Sequence, residues 1–332
     1  MTTRMRRHHT MRAAGVLALL LGCAPACAEQ PDPAAIEPAL PAPPETARGH
    51  GSLSIGFQDT YVSGLRANND TVVHAGNGRN RAVQLDLEYF FADRWSLRLG
   101  IPYVSNVFHG NPHCPTAQPP QCQHVPHLNP PHPESHFQDD DRYHGTWQDW
   151  NLGIAWHTSV AGSYLLTPSL TAFVPSHDYT FFSNAAAGQG FWKIEAALEF
   201  AHQFEFSDWF YRARYAYVYT EHVLDTRLNY RRAELELGYF LNEAWSLRGF
   251  STGKKGQGYT VQELGPLTRG RTSEYWYRHD QIVVHDYADV GAALDYRFAG
   301  KYTFSTAVHK LIWGLSINNF KYSAEARLTR EF

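Results

Sequence analysis

From Leu53 to the C-terminus the chain alternates large apolar residues with polar or small ones at a period of two, segment after segment. Beyond the N-terminal region no run of about 18 apolar residues occurs, so a bundle of membrane-spanning helices is excluded. Only strands closed into a barrel, with every backbone N–H and C=O paired, would let such a chain cross a bilayer. The clearest segment sets Val83, Leu85, Leu87 and Tyr89 on one face and Gln84, Asp86 and Glu88 on the other. Its hairpin partner places Trp95, Leu97, Leu99, Ile101 and Tyr103 outward, with Ser96 and Arg98 inward. A helix would scatter these residues around its circumference.

The same hairpin recurs about 150 residues later, which shared hairpin constraints explain as readily as duplication does. YFFADRWSLR and YFLNEAWSLR are the two copies, and Ala233, Leu235, Leu237 and Tyr239 alternate with Glu234, Glu236 and Gly238 ahead of the second turn. Further outward sets are Leu53, Ile55 and Phe57; Trp150, Leu152, Ile154 and Trp156; Leu166, Leu170, Ala172 and Val174; Trp192, Ile194, Ala196, Leu198 and Phe200; and Trp209, Tyr211, Ala213, Tyr215 and Tyr217. The last are Val290, Ala292, Leu294, Tyr296 and Phe298; Tyr302, Phe304 and Val308; and Phe320, Tyr322, Ala324, Ala326 and Leu328. These segments predict an all-β, antiparallel, up-and-down transmembrane barrel of about 12 strands, integral to a bacterial outer membrane. Short connections near 92–94, 158–162, 203–208, 242–244 and 299–301 alternate with longer ones at 63–79, 106–145, 175–189, 221–228 and 252–280. An even strand count then leaves both termini on the periplasmic side, with the long loops outside. A soluble β-sandwich is the competing fold, and it would bury the aromatic faces against a second sheet.

Arg4, Arg6, Arg7 and Arg12, the apolar run from Ala13 to Leu21 and Ala26-Cys27-Ala28 read as a signal peptide over 1–28, cut before Glu29. Leu20-Leu21-Gly22-Cys23 also fits a lipoprotein cleavage box, the alternative processing. Segment 29–50 is rich in Pro and Ala and predicts an extended periplasmic stretch, leaving 51–332 for the barrel. Two cysteines, Cys114 and Cys122, fall in the exported part, where an oxidising compartment favours a loop disulfide; free thiols or metal ligands are the other readings. The net charge of −3 points to no nucleic acid or polyanionic partner. At 14% Phe, Trp and Tyr, the ring content suits sheets and membrane interfaces.

Alternation assigns charges of both signs to the lumen: Asp86, Glu88, Arg98, Glu195, Glu199, Arg212, Arg214, Arg232, Glu234, Glu236, Arg248, Asp289, Asp295, Arg297, Glu325 and Arg327. Such groups either pair across strands as braces for the wall or line a polar passage that selects solutes. Twelve strands enclose less than a wide porin, so a narrow or gated conduit fits better. The expected external loop 106–145 carries His109, His113, His124, His127, His132 and His136, which could take a divalent metal, although the prolines between them break any regular ligand spacing. A solvent-facing loop with adventitious affinity is the alternative. His177, Ser183 and Asn184 near another external loop raise a lipid-hydrolase reading, but the sequence HDYTFFSNAA lacks the tight motif of the barrel phospholipases. Nothing resembles a phosphate-binding loop, and no cofactor is expected apart from that metal.

GTWQDWNLGIAW, LLTPSLTAFVPSHDY, AAGQGFWKIEAALEFAHQF and RRAELELGYFLNEAWSLRGF resemble the outer-membrane transporters associated with the meta-pathway of phenol degradation, a branch of the fatty-acid-transporter-like barrels. The shared marks are a Pro-containing strand end, Gly188-Gln189-Gly190 before a strand, and Gly238-Tyr239-Phe240 ahead of a turn. The stretch from Asn106 to Gly145 departs from that pattern in length and histidine content. The resemblance implies a channel or facilitated transporter for small hydrophobic or aromatic molecules, seated among outer-membrane lipids. It also implies a C-terminal aromatic residue, here Phe332, read by the barrel-insertion machinery. A structural or adhesive barrel whose external loop binds metal or a partner is the other class. Reconstitution separates the two, since a transporter passes solute and an adhesin does not.

Overall fold

The computed structural model describes residues 47–67, 70–109, 138, 141–160, 164–181, 184–267 and 274–332. The signal segment 1–28, Cys114, Cys122, Ser183, and His113, His124, His127, His132 and His136 lie outside the described residues.

Twelve antiparallel strands close into one cylinder. They are β1 (Gly51–Arg66), β2 (Val72–Ala92), β3 (Trp95–His109), β4, β5 (Tyr164–Val174), β6 (Lys193–Gln203), β7 (Trp209–Thr220), β8 (Tyr230–Phe240), β9 (Trp245–Gly256), β10 (Asp286–Phe298), β11 (Tyr302–Leu315) and β12 (Ile317–Glu331). The β4 stave runs in three pieces, His144–Trp147, Trp150–Trp156 and Thr158–Val160. Each of these strands bonds to its sequence neighbours, and β1 also bonds to β12, so among the described residues the cylinder has no open edge. Among the described residues no helix is long and apolar enough to cross a membrane.

The alternation becomes two different walls. Leu53, Leu152, Leu170, Leu235 and Leu237 face outward, and Leu235 is 62% exposed. In hydrocarbon each such side chain gains about 1.5–3 kcal/mol over its exposure to water. Ring pairs border this belt at both heights. At the short-turn end stand Trp245 with Tyr296 (4.4 Å), Trp209 with Tyr239 (5.0 Å) and Trp95 with Trp156 (6.4 Å). At the loop end stand Tyr103 with Trp147 (5.3 Å), Tyr61 with Tyr322 (5.9 Å) and Trp192 with Tyr219 (6.0 Å). Rings at two levels flanking an apolar band are the girdles of an outer-membrane barrel.

Turn chemistry holds the short ends. Asn242 Oδ1 accepts from the amides of Ala244 (2.9 Å) and Trp245 (3.0 Å), closing the second copy of the repeated hairpin. Ala299 (φ 49°) and Gly300 (φ 70°) reverse the chain into β11 in left-handed conformations.

Several sequence expectations shift here. β1 runs to Arg66, β2 starts at Val72, β3 reaches His109 and β4 begins at His144, so the connections expected at 63–79 and 106–145 are shorter than the sequence reading made them. Above the membrane a ladder needs no apolar face, so Asn77, Arg79, Asn80 and Arg81 continue β2 without alternation. Phe320, expected outward, points inward: Tyr322 pairs with Tyr61 but Phe320 pairs with Val62, and the bulge at Lys321 reverses the parity. Phe320 packs inside with Val62, Tyr287, Leu311 and Ile317.

Candidate functional site

Charged pairs line the inner wall from β6 to β10. Glu195 meets Arg214 and Arg232, the latter at 2.9 Å, and Glu234 meets the same two arginines at 3.1 and 2.9 Å. Glu236 lies 3.3 Å from Arg212 and 2.7 Å from Arg248. The Arg248 fork donates to both oxygens of Asp295 at 2.7 and 2.8 Å, and Ser246 donates to the same carboxylate at 3.0 Å. These charges neutralise one another in a repeating ladder, with the planar guanidinium matching each carboxylate.

The rest of the lumen carries three smaller sets. Arg98 donates to Glu88 at 2.8 Å, where Ser96 also donates and His157 stands 3.5 Å away. Arg327 donates to Asp86 at 2.7 Å. His309 sits between Asp289 and Glu325, 3.3 Å from each. Glu199 occupies the inward register of β6 opposite Arg214. Arg297 is on the inward register but at the periplasmic rim, where it pairs with Glu331 at 3.1 Å. The sequence reading named these carboxylates and arginines but passed over His309, although the parity of Phe304 and Val308 makes position 309 inward.

Large rings narrow the periplasmic end. Phe210 is buried against Phe240, ring centroids 4.8 Å apart, and a Cβ on Gly238 would lie 2.1 Å from the Phe210 ring. Gly238 in the Gly-Tyr-Phe motif therefore makes room for an inward phenylalanine.

The extracellular mouth is built from loops. The described residues of the connection after β5, 178–181 and 184–190, fold into the cylinder, with Tyr179 and Ala187 against Ala82 and Val104 of β2 and β3. Asn106 and Gln148 donate to the carbonyls of Ala186 and Ala187, each at 2.7 Å. Tyr179 donates to Asp149, which also faces Lys193 at 3.5 Å. Burial, reinforced by the Asp149 carboxylate, holds the Tyr179 phenol well above its ordinary pKa. The Gly188-Gln189-Gly190 motif belongs to this dock. A Cβ on Gly188 would lie 2.8 Å from the Tyr179 hydroxyl, and Gly190, at φ 65°, donates its amide to that oxygen at 3.2 Å. No period runs through this loop, so sequence reasoning had no signal for Tyr179, whereas the parity of Trp192 and Ile194 makes Lys193 inward and was passed over.

A second inward segment comes from the connection between β9 and β10, which carries α1 (Val261–Leu267), α2 (Glu274–Tyr277) and α3 (His279–Ile282). Thr260 and Glu263 cap α1 reciprocally. His279, Asp280, Gln281 and Ile282 are buried, and Gln189 and Gln281 exchange side-chain bonds to the Asp280 and Gln189 carbonyls at 3.1 and 2.6 Å. Phe191, Val223, Leu228, Leu264, Ile282 and Val283 form the apolar centre of the cap. Beside it is a cavity of about 460 Å³ lined by Phe191, Val223, Leu224, Glu221, Arg278 and Gln281, among others.

Of the other candidates, His109 is described: it is exposed and lies 3.2 Å from Asp141. Among the described residues no cluster of metal-ligating side chains occurs. His177 contacts Ser176 and Thr146 at 2.8 and 2.9 Å, and Asn184 lies on the docked loop.

No protein-family model matches the chain, and no curated protein matches it in sequence. Among solved structures it is similar to the COG4313 outer membrane channel from Pseudomonas putida F1, at 14% identity and a TM-score of 0.63, over 91% of this chain and 100% of that one. The NanC porin aligns at 10% identity and TM-score 0.45 over 84% of this chain and 98% of its own. The P. putida toluene transporter TodX aligns at 10% and 0.39 over 88% and 91%. The likeness to the P. putida F1 channel is one of fold.

Proposed function

We propose that this chain is an outer-membrane conduit for small molecules, restricted at its outer mouth by the docked loop. The observation that carries the reading is the closed cylinder with an apolar outer wall, a polar inner wall and a loop held inside by specific hydrogen bonds. Because the lumen charges are matched in sign, the passage offers little net field and suits neutral or weakly polar solutes. Hydrophobic or aromatic cargo is what the resemblance to the phenol-pathway transporters implies; the cap cavity, lined by Glu221, His222, Glu274, Arg278 and Gln281 as well as Phe191, Val223 and Leu224, would pass it between polar and apolar groups. A channel by name shares the fold. Phe332 supplies the signal for insertion.

Liposome swelling tests this with phenols, fatty acids, sugars and divalent salts. Phenols should enter, and Tyr179→Phe, which deletes the bond to Asp149, should raise the rate severalfold by loosening the dock. Loss of one such buried bond is worth about 1–3 kcal/mol. Proteoliposomes that admit none of the solutes, with either protein, would end the reading.

A further inference from the structure

The outer wall carries charge of one sign at one height. Level with the loop-end rings, or within one outward position of them, the outward registers hold Arg79 and Arg81 on β2, Arg231 on β8, Lys255 on β9, Lys310 on β11 and Lys321 on β12. Within the described strands the acid that faces outward at this height is Asp59, held by Arg79 at 2.7 Å with Arg81 at 3.9 Å. The lumen shows no such imbalance, since its arginines meet carboxylates.

Four of these cations gather on one face around two stacked rings. Tyr61 pairs across strands with Arg79 on one side and Tyr322 on the other. Lys310 follows His309, whose partner Ser323 adjoins Tyr322. Lys321 is there because of the bulge: regular pairing would turn it into the lumen, whereas both Lys321 and Tyr322 are exposed. Arg81 lies 4.8 Å over the Tyr143 ring. Cations grouped above a hydrocarbon-facing belt, with one acid among them, repel one another unless anions stand opposite.

We propose that this face binds the phosphorylated glycolipid of the outer leaflet, its sugar phosphates against Arg79, Arg81, Lys310 and Lys321 and its acyl chains along the apolar belt below. The height fits, because an aromatic girdle sits at the headgroup level, where cations beside it meet lipid phosphates. So does the chemistry, because guanidinium and ammonium groups bind phosphate oxygens.

Native mass spectrometry of the full chain purified in detergent tests the site. The probes are bisphosphorylated lipid A, the same lipid stripped of phosphate, and phosphatidylglycerol. The variant Arg81→Gln/Lys310→Gln/Lys321→Gln leaves the Arg79–Asp59 pair intact, and Lys301→Gln/Arg330→Gln removes two cations from the periplasmic end. At roughly fivefold per cation near an anionic headgroup, the triple variant should weaken lipid A binding on the order of a hundredfold, while the periplasmic variant binds as the parent does. The stripped lipid should bind the parent no better than lipid A binds the triple variant. Unchanged binding by a triple variant that still shows the heat-dependent gel shift of a folded barrel would overturn the site. So would equal binding of the stripped lipid, or displacement of lipid A by an equal concentration of phosphatidylglycerol.

Discussion

Arg248 is 1% exposed, and a charge so placed has to be answered by its neighbours. It is answered by the Asp295 carboxylate and by Glu236. Replacing it with Met leaves Asp295 buried and uncompensated, which costs about 3–5 kcal/mol, whereas removing both partners of such a pair is often nearly neutral. Arg248→Met should therefore lower the urea midpoint of the barrel in lipid vesicles, and Arg248→Met/Asp295→Leu should recover most of the loss. A double variant as weak as the single one would mean that the pair does not act as a unit. The sequence made the inward face of both residues legible through the parity of Leu247 and Leu294. It could not reveal that they touch, because the contact runs between β9 and β10, whose register places Ser246 opposite Asp295.

Strands and loops differ in how much of them a sequence displays. A strand with lipid on one side and water on the other must alternate, so the staves were legible down to the repeated hairpin. Where an extra residue enters, as at Lys321, parity fails without any local mark, and Phe320 was assigned to the wrong wall. The cap has no period at all, because its residues pack on one another instead of on two solvents. Its outer part nevertheless has a readable pH response. Tyr259 donates to Asp225 at 2.6 Å, and its backbone bonds to Ile282 and Val284 hold α3 in place. The Tyr259 hydrogen bond keeps the Asp225 carboxyl below its ordinary 3.8, so this contribution is present above that value and fades as pH falls through the lower folded one. Asp225 pushes the Tyr259 phenol from 10.0 up to about 12, so its contribution is intact below 10.0 and is lost as pH rises towards 12. Single-channel recordings should show longer openings at both extremes than at neutral pH. In Asp225→Asn the contrast at the alkaline end should shrink, and an unaltered alkaline response would remove Asp225 from the cap.

Closure is a property of the whole molecule, since one seam turns a curled sheet into a cylinder. That seam joins β1 to β12, and its last rung pairs Gly51 with Phe332 through two backbone bonds of 2.9 Å. The alternation of each strand indicated that a barrel was required. The partner of Phe332 was not legible, because the two residues lie at opposite ends of the described chain. Gly51 meets two constraints at once: a Cβ there would stand 2.4 Å from the Glu88 carbonyl and 2.8 Å from the Phe332 ring. Gly51→Val should therefore wedge β1 from both neighbours at the periplasmic rim, whereas deletion of Phe332 removes one rung and leaves the Gly51–β2 pairing intact. Refolding into vesicles, followed by heat-dependent gel mobility, should show little closed barrel for Gly51→Val and a near-parental yield for the Phe332 deletion, because no insertion machinery is present in vitro. In cells the order changes, and the Phe332 deletion should also assemble poorly if the terminal ring serves as the insertion signal. Equal assembly of the deletion and the parent in cells would confine Phe332 to the seam.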